Sequence, residues 1–86
     1  MLSVEFASGA KKFLKKADKM IINRIIEKIE KLRIDPFPPD MKRVIGKKDR
    51  IFRVRVGHYR IQYSIFHDKK VIFISYIDKR ERAYNK

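Results

Sequence analysis

The apolar residues of this 86-residue chain repeat with one period before a cluster of prolines and another after it. That switch limits the fold more than any other feature of the sequence, because a helical stripe and an alternating strand cannot exchange roles. All three prolines lie in Asp35-Pro36-Phe37-Pro38-Pro39-Asp40. Upstream, Ile21, Ile22, Ile25, Ile26, Ile29 and Leu32 recur at helical spacing, and Glu27 and Lys31 make a favourable i,i+4 pair. Downstream, Phe52, Val54 and Val56 alternate with Ile51, Arg53 and Arg55, and Tyr59, Ile61, Tyr63 and Ile65 alternate with Arg60, Gln62 and Ser64. The expectation is a helical half followed by a sheet half.

Each half can be divided further. Leu2, Val4 and Phe6 alternate with Ser3 and Glu5, which predicts a short N-terminal strand. Ser8 is placed to cap a first helix with Ala10, Phe13, Leu14 and Ala17 as its apolar stripe and Lys11, Lys12, Lys15 and Lys16 on its other side. Asp18 is placed to cap a second helix, which Asp35-Pro36 ends near Ile34. The two read as an antiparallel helical hairpin whose isoleucines are all core. After the prolines, Arg43-Val44-Ile45 reads as a short strand and Lys47-Lys48-Asp49-Arg50 as a turn. Gly57-His58 fits a two-residue hairpin turn of type II′. His67-Asp68-Lys69-Lys70 makes the next turn. Val71 to Ile77, apolar on both faces apart from Ser75, suits a strand inside the sheet. The fold class is α+β: a strand, two helices, then a mostly antiparallel meander of three to four strands with the helices on one face, in one domain spanning 1–86.

Charge supplies the functional reading. Lys and Arg number 23 against 10 Asp and Glu, a net charge of +13, while 44% of the residues are hydrophobic. A chain this basic and this apolar folds and then seeks a polyanion, with nucleic acid first among the partners. No cysteine is present, which removes disulfides, thiolate ligands and thiol nucleophiles, and the two histidines, His58 and His67, offer little for a metal site. No apolar run is long enough to span a bilayer and the start does not read as a signal peptide, so a cytoplasmic location is expected.

The basic residues are also unevenly placed. Residues 42–60 hold eight of them (Lys42, Arg43, Lys47, Lys48, Arg50, Arg53, Arg55, Arg60) and one acid, Asp49. Counting outward from a Gly57-His58 turn sets Val56 opposite Tyr59, Arg55 opposite Arg60, Val54 opposite Ile61, and Arg53 opposite Gln62. Arg53, Arg55, Arg60 and Gln62 then share the face away from the helices. Opposed like charges destabilise a sheet, so a convergent arginine pair points to an anion-binding plate more than to a solvated face. In the tail, Arg80 and Tyr84 stand four apart, and a tyrosine beside arginines can stack on a base.

Ile51-Phe52-Arg53-Val54-Arg55-Val56-Gly57-His58-Tyr59-Arg60-Ile61-Gln62-Tyr63 and Ile74-Ser75-Tyr76-Ile77-Asp78-Lys79-Arg80-Glu81-Arg82-Ala83-Tyr84 together resemble the RelE/ParE superfamily of toxin–antitoxin toxins. The order of helices, proline linker and meander resembles it too. The resemblance implies a RelE-type mRNA interferase, a metal-independent endoribonuclease that cleaves message in the ribosomal A site, inhibits translation and needs no cofactor. It implies catalytic roles for Arg60, for Arg55, for Arg80 or Arg82, and for Tyr84. Arg53, Gln62, Lys47, Lys48 and Arg50 would bind RNA. Arg53 and Arg55 stand where RelE has lysines, and arginine cannot serve as a proton acceptor. The implied partners are a RelB-like antitoxin, forming a hetero-oligomer with the toxin, and the ribosome with its message. Two other readings fit the same residues: a ParE-like toxin directed at DNA gyrase, and a non-catalytic RNA-binding module.

Overall fold

The computed structural model describes residues 1–44 and 50–79. In chain order the elements are β1 (Ser3–Phe6), α1 (Ser8–Lys16), α2 (Lys19–Ile34), β2 (Lys42–Arg43), β3 (Phe52–Val56), β4 (Tyr59–Phe66) and β5 (Val71–Lys79). One sheet has the order β1-β5-β4-β3-β2; β1 runs parallel to β5 and every other pair is antiparallel. The α+β expectation is met. The four-stranded meander gains a fifth strand because the N-terminal segment returns to pair with the last one.

The helices form where their end signals lie, with one shift. Asp18 caps α2 by accepting a hydrogen bond from the Ile21 amide at 3.0 Å. Ser8 does not cap α1: the cap is Ala7, with no side-chain hydrogen bond, and Ser8 is the first helical residue. The cause is the sheet, since the Ala7 amide still donates to Ile74 O at 2.9 Å and holds Ala7 extended. Arg33 of α2 ties the start of β1 in place, donating from Nε to Leu2 O at 2.7 Å.

One sheet face and the helices enclose the core. Ile25, Ile29 and Leu32 of α2 and Ala10 of α1 are buried with Phe52, Val54, Ile61, Tyr63, Ile72, Ile74 and Ile77 of the sheet. Full burial of each valine, leucine or isoleucine side chain stabilises by about 1.5–3 kcal/mol. The isoleucines of α2 are not all core, however. Ile26 is exposed, because it lies about 100° round the helix from Ile25, beyond the stripe that faces the sheet. The proline linker is fastened to this core by Tyr63, whose hydroxyl donates to Pro36 O at 2.8 Å.

The hairpin register is the one counted from the turn: Val56↔Tyr59, Arg55↔Arg60, Val54↔Ile61, Arg53↔Gln62. Gly57 has φ +59 and His58 stays at negative φ, as a type II′ turn requires. The positive φ is what favours glycine here, since a Cβ would meet only the flexible guanidinium of Arg24, 3.3 Å away. The short strand expected at Arg43-Val44-Ile45 is instead Lys42–Arg43, with Val44 continuing through one bond from its amide to Ile51 O; Ile45 lies outside the described residues.

Between β4 and β5 the register shifts. Gln62 pairs with Tyr76 while Tyr63 pairs with Ile74, which leaves Ser75 as the extra residue of a β-bulge. The Ser75 hydroxyl donates to the Gln62 carbonyl at 3.3 Å. The bulge resolves the strand that is apolar on both faces. Ile72 and Ile74 face the core two residues apart, and Ile77 joins them after a step of three.

Candidate nucleic-acid interface

The face of the sheet without helices carries two rows of side chains across the strands. In one row Arg55 of β3 stands beside Arg60 of β4 and Asp78 of β5; in the other, Lys42, Arg53, Gln62 and Tyr76 follow one another from β2 to β5. Strand alternation puts these residues on one face, with the apolar residues between them on the other. Arg55 is exposed and Arg53, Arg60 and Gln62 are partly so. Asp40, Lys42, Arg53, Val54 and Arg55 line a groove of about 270 Å³ at the β2–β3 edge. Asp40 does not cancel those cations. Its carboxylate accepts from Lys28 Nζ at 3.0 Å, and this bond holds its pKa below the usual carboxylate range.

Arg60 has a partner within the plate. Its Nε donates to Asp78 Oδ1 at 3.0 Å and its Nη2 to Asp78 Oδ2 at 2.5 Å, a two-pronged pair with both side chains mostly withdrawn from water. The arginine pair read from the sequence is therefore a triad of two cations and one acid. Arg60 is fixed in orientation by the pair, and Arg55 faces solvent beside it.

The structure brings together Arg53, Arg55, Arg60 and Gln62 as expected. Arg50 is exposed just ahead of β3 and stands in neither row. Lys47, Lys48, Arg80, Arg82 and Tyr84 lie outside the described residues. Of the histidines, His58 is exposed in the hairpin turn, and His67 stacks on Phe37 with ring centroids 6.3 Å apart. Among the described residues no three His, Asp or Glu side chains gather as a metal site needs. Asp78 and Tyr76 were missed because strict alternation along β5 cannot place them. The signal was present in the spacing of Ile72, Ile74 and Ile77, which changes from two to three.

Chemically, the plate offers fixed positive charge on a pre-ordered surface. That suits a phosphodiester and the extra negative charge of its pentacoordinate transition state. Arginine stays protonated, so these side chains stabilise charge and do not take up protons.

An α+β fold with a basic sheet face that no described helix covers defines a class, and comparison with known proteins gives it a family. The model of the ParE toxin of the type II toxin-antitoxin system, parDE, matches residues 4–84. The chain is 36% identical over 85 residues, 95% of its own length and 93% of the relative's, to a candidate toxin designated RelE1 from Methanocaldococcus jannaschii. The archaeal RelE in the RelE–RelB complex from Pyrococcus horikoshii OT3 superposes with a TM-score of 0.80 at 29% identity, over 94% of this chain and 97% of that one. The isolated E. coli RelE toxin superposes with a TM-score of 0.83 over 99% and 93% of the two chains, and its 20% identity speaks to the fold alone. The chain belongs to the RelE/ParE superfamily of toxin–antitoxin toxins, and its relatives carry RelE names.

Proposed function

We propose that this chain, as a single toxin domain over 1–86, is a ribosome-dependent endoribonuclease that cuts messenger RNA in the A site and so stops translation. The observation that carries the reading is the alignment of Arg53, Arg55 and Arg60 on the sheet face opposite the described helices of a RelE-like fold. In the proposed reaction the ribose 2′-oxygen attacks the adjacent phosphorus in line. The bond from phosphorus to the 5′-oxygen breaks, leaving a 2′,3′-cyclic phosphate and a 5′-hydroxyl; one proton leaves the 2′-hydroxyl and one reaches the departing oxygen. Arg60, oriented by Asp78, and Arg55 hold the phosphate and stabilise its developing charge. Arg53 and Gln62 position the neighbouring RNA. Arg80 or Arg82, with Tyr84, takes the tail's part by resemblance, and Lys47, Lys48 and Arg50 extend the attraction for RNA.

The partners follow from the same reading: the ribosome with its message in the cytoplasm, and a RelB-like antitoxin in a hetero-oligomer. An open groove of about 470 Å³ lined by Phe13, Ile21, Tyr59 and Ile77 and rimmed by Lys12, Lys16 and Lys79 supports an acidic partner with apolar anchors. The test is cleavage mapping on programmed ribosomes with and without the purified protein. Cuts confined to the A-site codon support the reading, and an intact message overturns it. The ParE description of the matching family model favours a second reading, inhibition of DNA gyrase. Loss of supercoiling activity at equimolar toxin, with message untouched, would establish that reading instead.

A further inference from the structure

Tyr76 is an exposed aromatic side chain of the plate, 47% accessible, and it makes no hydrogen bond or ring contact among the described residues. Its position results from the bulge. With unbroken register after Tyr63↔Ile74, Gln62 would face Ser75, Ile61 would face Tyr76, and Tyr76 would turn into the core. Inserting Ser75 instead buries Ile77 to 3% and turns Tyr76 onto the open face opposite Gln62. A bulge leaves one residue outside the ladder, and such kinks are found where a side chain is re-aimed beside an active site. Here it exchanges a buried aromatic for an exposed one.

The surroundings fit a nucleobase. Gln62, directly across the strand pair, offers both a donor and an acceptor at the edge of the ring. Arg53 follows in the same row, and Arg60 is the diagonal neighbour on β4, about 7–8 Å away. A phosphate at Arg60 and a base on Tyr76 are thus within the span of one nucleotide. Beyond Tyr76 the face changes character: Phe73 and Val71 of β5 and Phe66 of β4 are apolar, and Glu5 of β1 closes it with negative charge. Among the residues of this face the cations stand at the arginine end, which favours the RNA backbone there and leaves the bases to lie toward Tyr76.

We propose that Tyr76 is a base-stacking residue that holds a nucleotide next to the scissile phosphate, with Gln62 contacting the edge of that base. The inference rests on the endoribonuclease reading, so its test has two independent arms. In the first, single-turnover cleavage on programmed ribosomes is compared for the wild type, Tyr76→Ala and Tyr76→Phe, with an intact message and with an abasic nucleotide next to the cut. Tyr76→Ala should slow cleavage roughly ten- to a hundredfold, the scale of one lost base–aromatic stack, and Tyr76→Phe should stay near the wild type. On the abasic message the wild type should fall to the Tyr76→Ala level, with no further loss from the substitution. In the second arm, fluorescence of an RNA oligonucleotide containing 2-aminopurine is followed at low salt. Quenching by the wild type and by Tyr76→Phe, absent with Tyr76→Ala, supports stacking even if no message is cut. Tyr76→Ala cleaving as fast as the wild type, Tyr76→Phe as impaired as Tyr76→Ala, quenching that ignores residue 76, or a loss confined to antitoxin binding would each overturn the proposal.

Discussion

Arg60 enters the plate already paired, and this changes what its neighbours do. Asp78 neutralises part of the repulsion between Arg55 and Arg60, so the cost of opposing them is smaller than two bare cations would impose. Arg55→Thr should accordingly shift stability to chemical denaturation by no more than about 0.5 kcal/mol, since the lost charge is exposed and threonine suits a strand. Cleavage should fall in the same variant. A loss well beyond that range would show Arg55 to be a structural residue. Arg60→Ala removes the oriented guanidinium and strands the mostly buried Asp78 carboxylate. It should reduce cleavage by on the order of 10²-fold or more, whereas Lys11→Ala, on the exposed side of α1, should leave the rate nearly unchanged. Equal losses from both would mean that only the overall charge matters.

At the scale of elements, what could be read from the sequence follows how local the determining physics is. The Asp18 cap and the Gly57-His58 turn were legible because each is fixed within a few residues: a carboxylate reaching an amide three positions on, and a glycine at positive φ. From that turn alone, counting placed Arg53, Arg55, Arg60 and Gln62 on one face. The Ser8 cap failed because a distant strand, through Ile74 O, decides where β1 ends. The Arg60–Asp78 pair failed for a similar reason: unbroken register would set Arg60 against Ile77, and one unpaired serine moves Asp78 into place. The proline linker is held by an equally non-local contact, and it gives a pH signature. Burial raises the pKa of Tyr63 well above its ordinary value, with Asp40 and Asp35 adding to the shift. The unfolded chain ionises first, so the contribution of Tyr63 is complete below about pH 10 and is lost as pH rises beyond it, at roughly 1.4 kcal/mol per unit. Tyr63→Phe should cost about 1 kcal/mol at pH 7, where Pro36 O loses its donor. It should also flatten the alkaline part of the urea-stability profile; an unchanged slope would assign the alkaline loss to other groups.

On the scale of the whole molecule, a net charge of +13 attracts any polyanion and selects none. Selectivity has to come from geometry, and the plate supplies fixed cations with no described group poised as a proton acceptor. Free RNA should therefore be held in many poses and cut poorly, while a message held by the ribosome should be cut at a defined site. Comparable rates on the two substrates, measured at one salt concentration, would rule out the ribosome as the orienting partner.

The parallel pairing of β1 with β5 has a consequence for how the molecule comes into being. Ser3 is matched with Val71, and more than three quarters of the chain lies between them, whereas the hairpins of β3, β4 and β5 close over short loops. Contacts that far apart form late, because a long loop must be closed before they give anything back. During synthesis β1 must wait, unpaired, for the last strand of the sheet to emerge, and that same strand brings Asp78 to Arg60 and Tyr76 to Gln62. A nascent chain therefore has neither a closed sheet nor a finished plate.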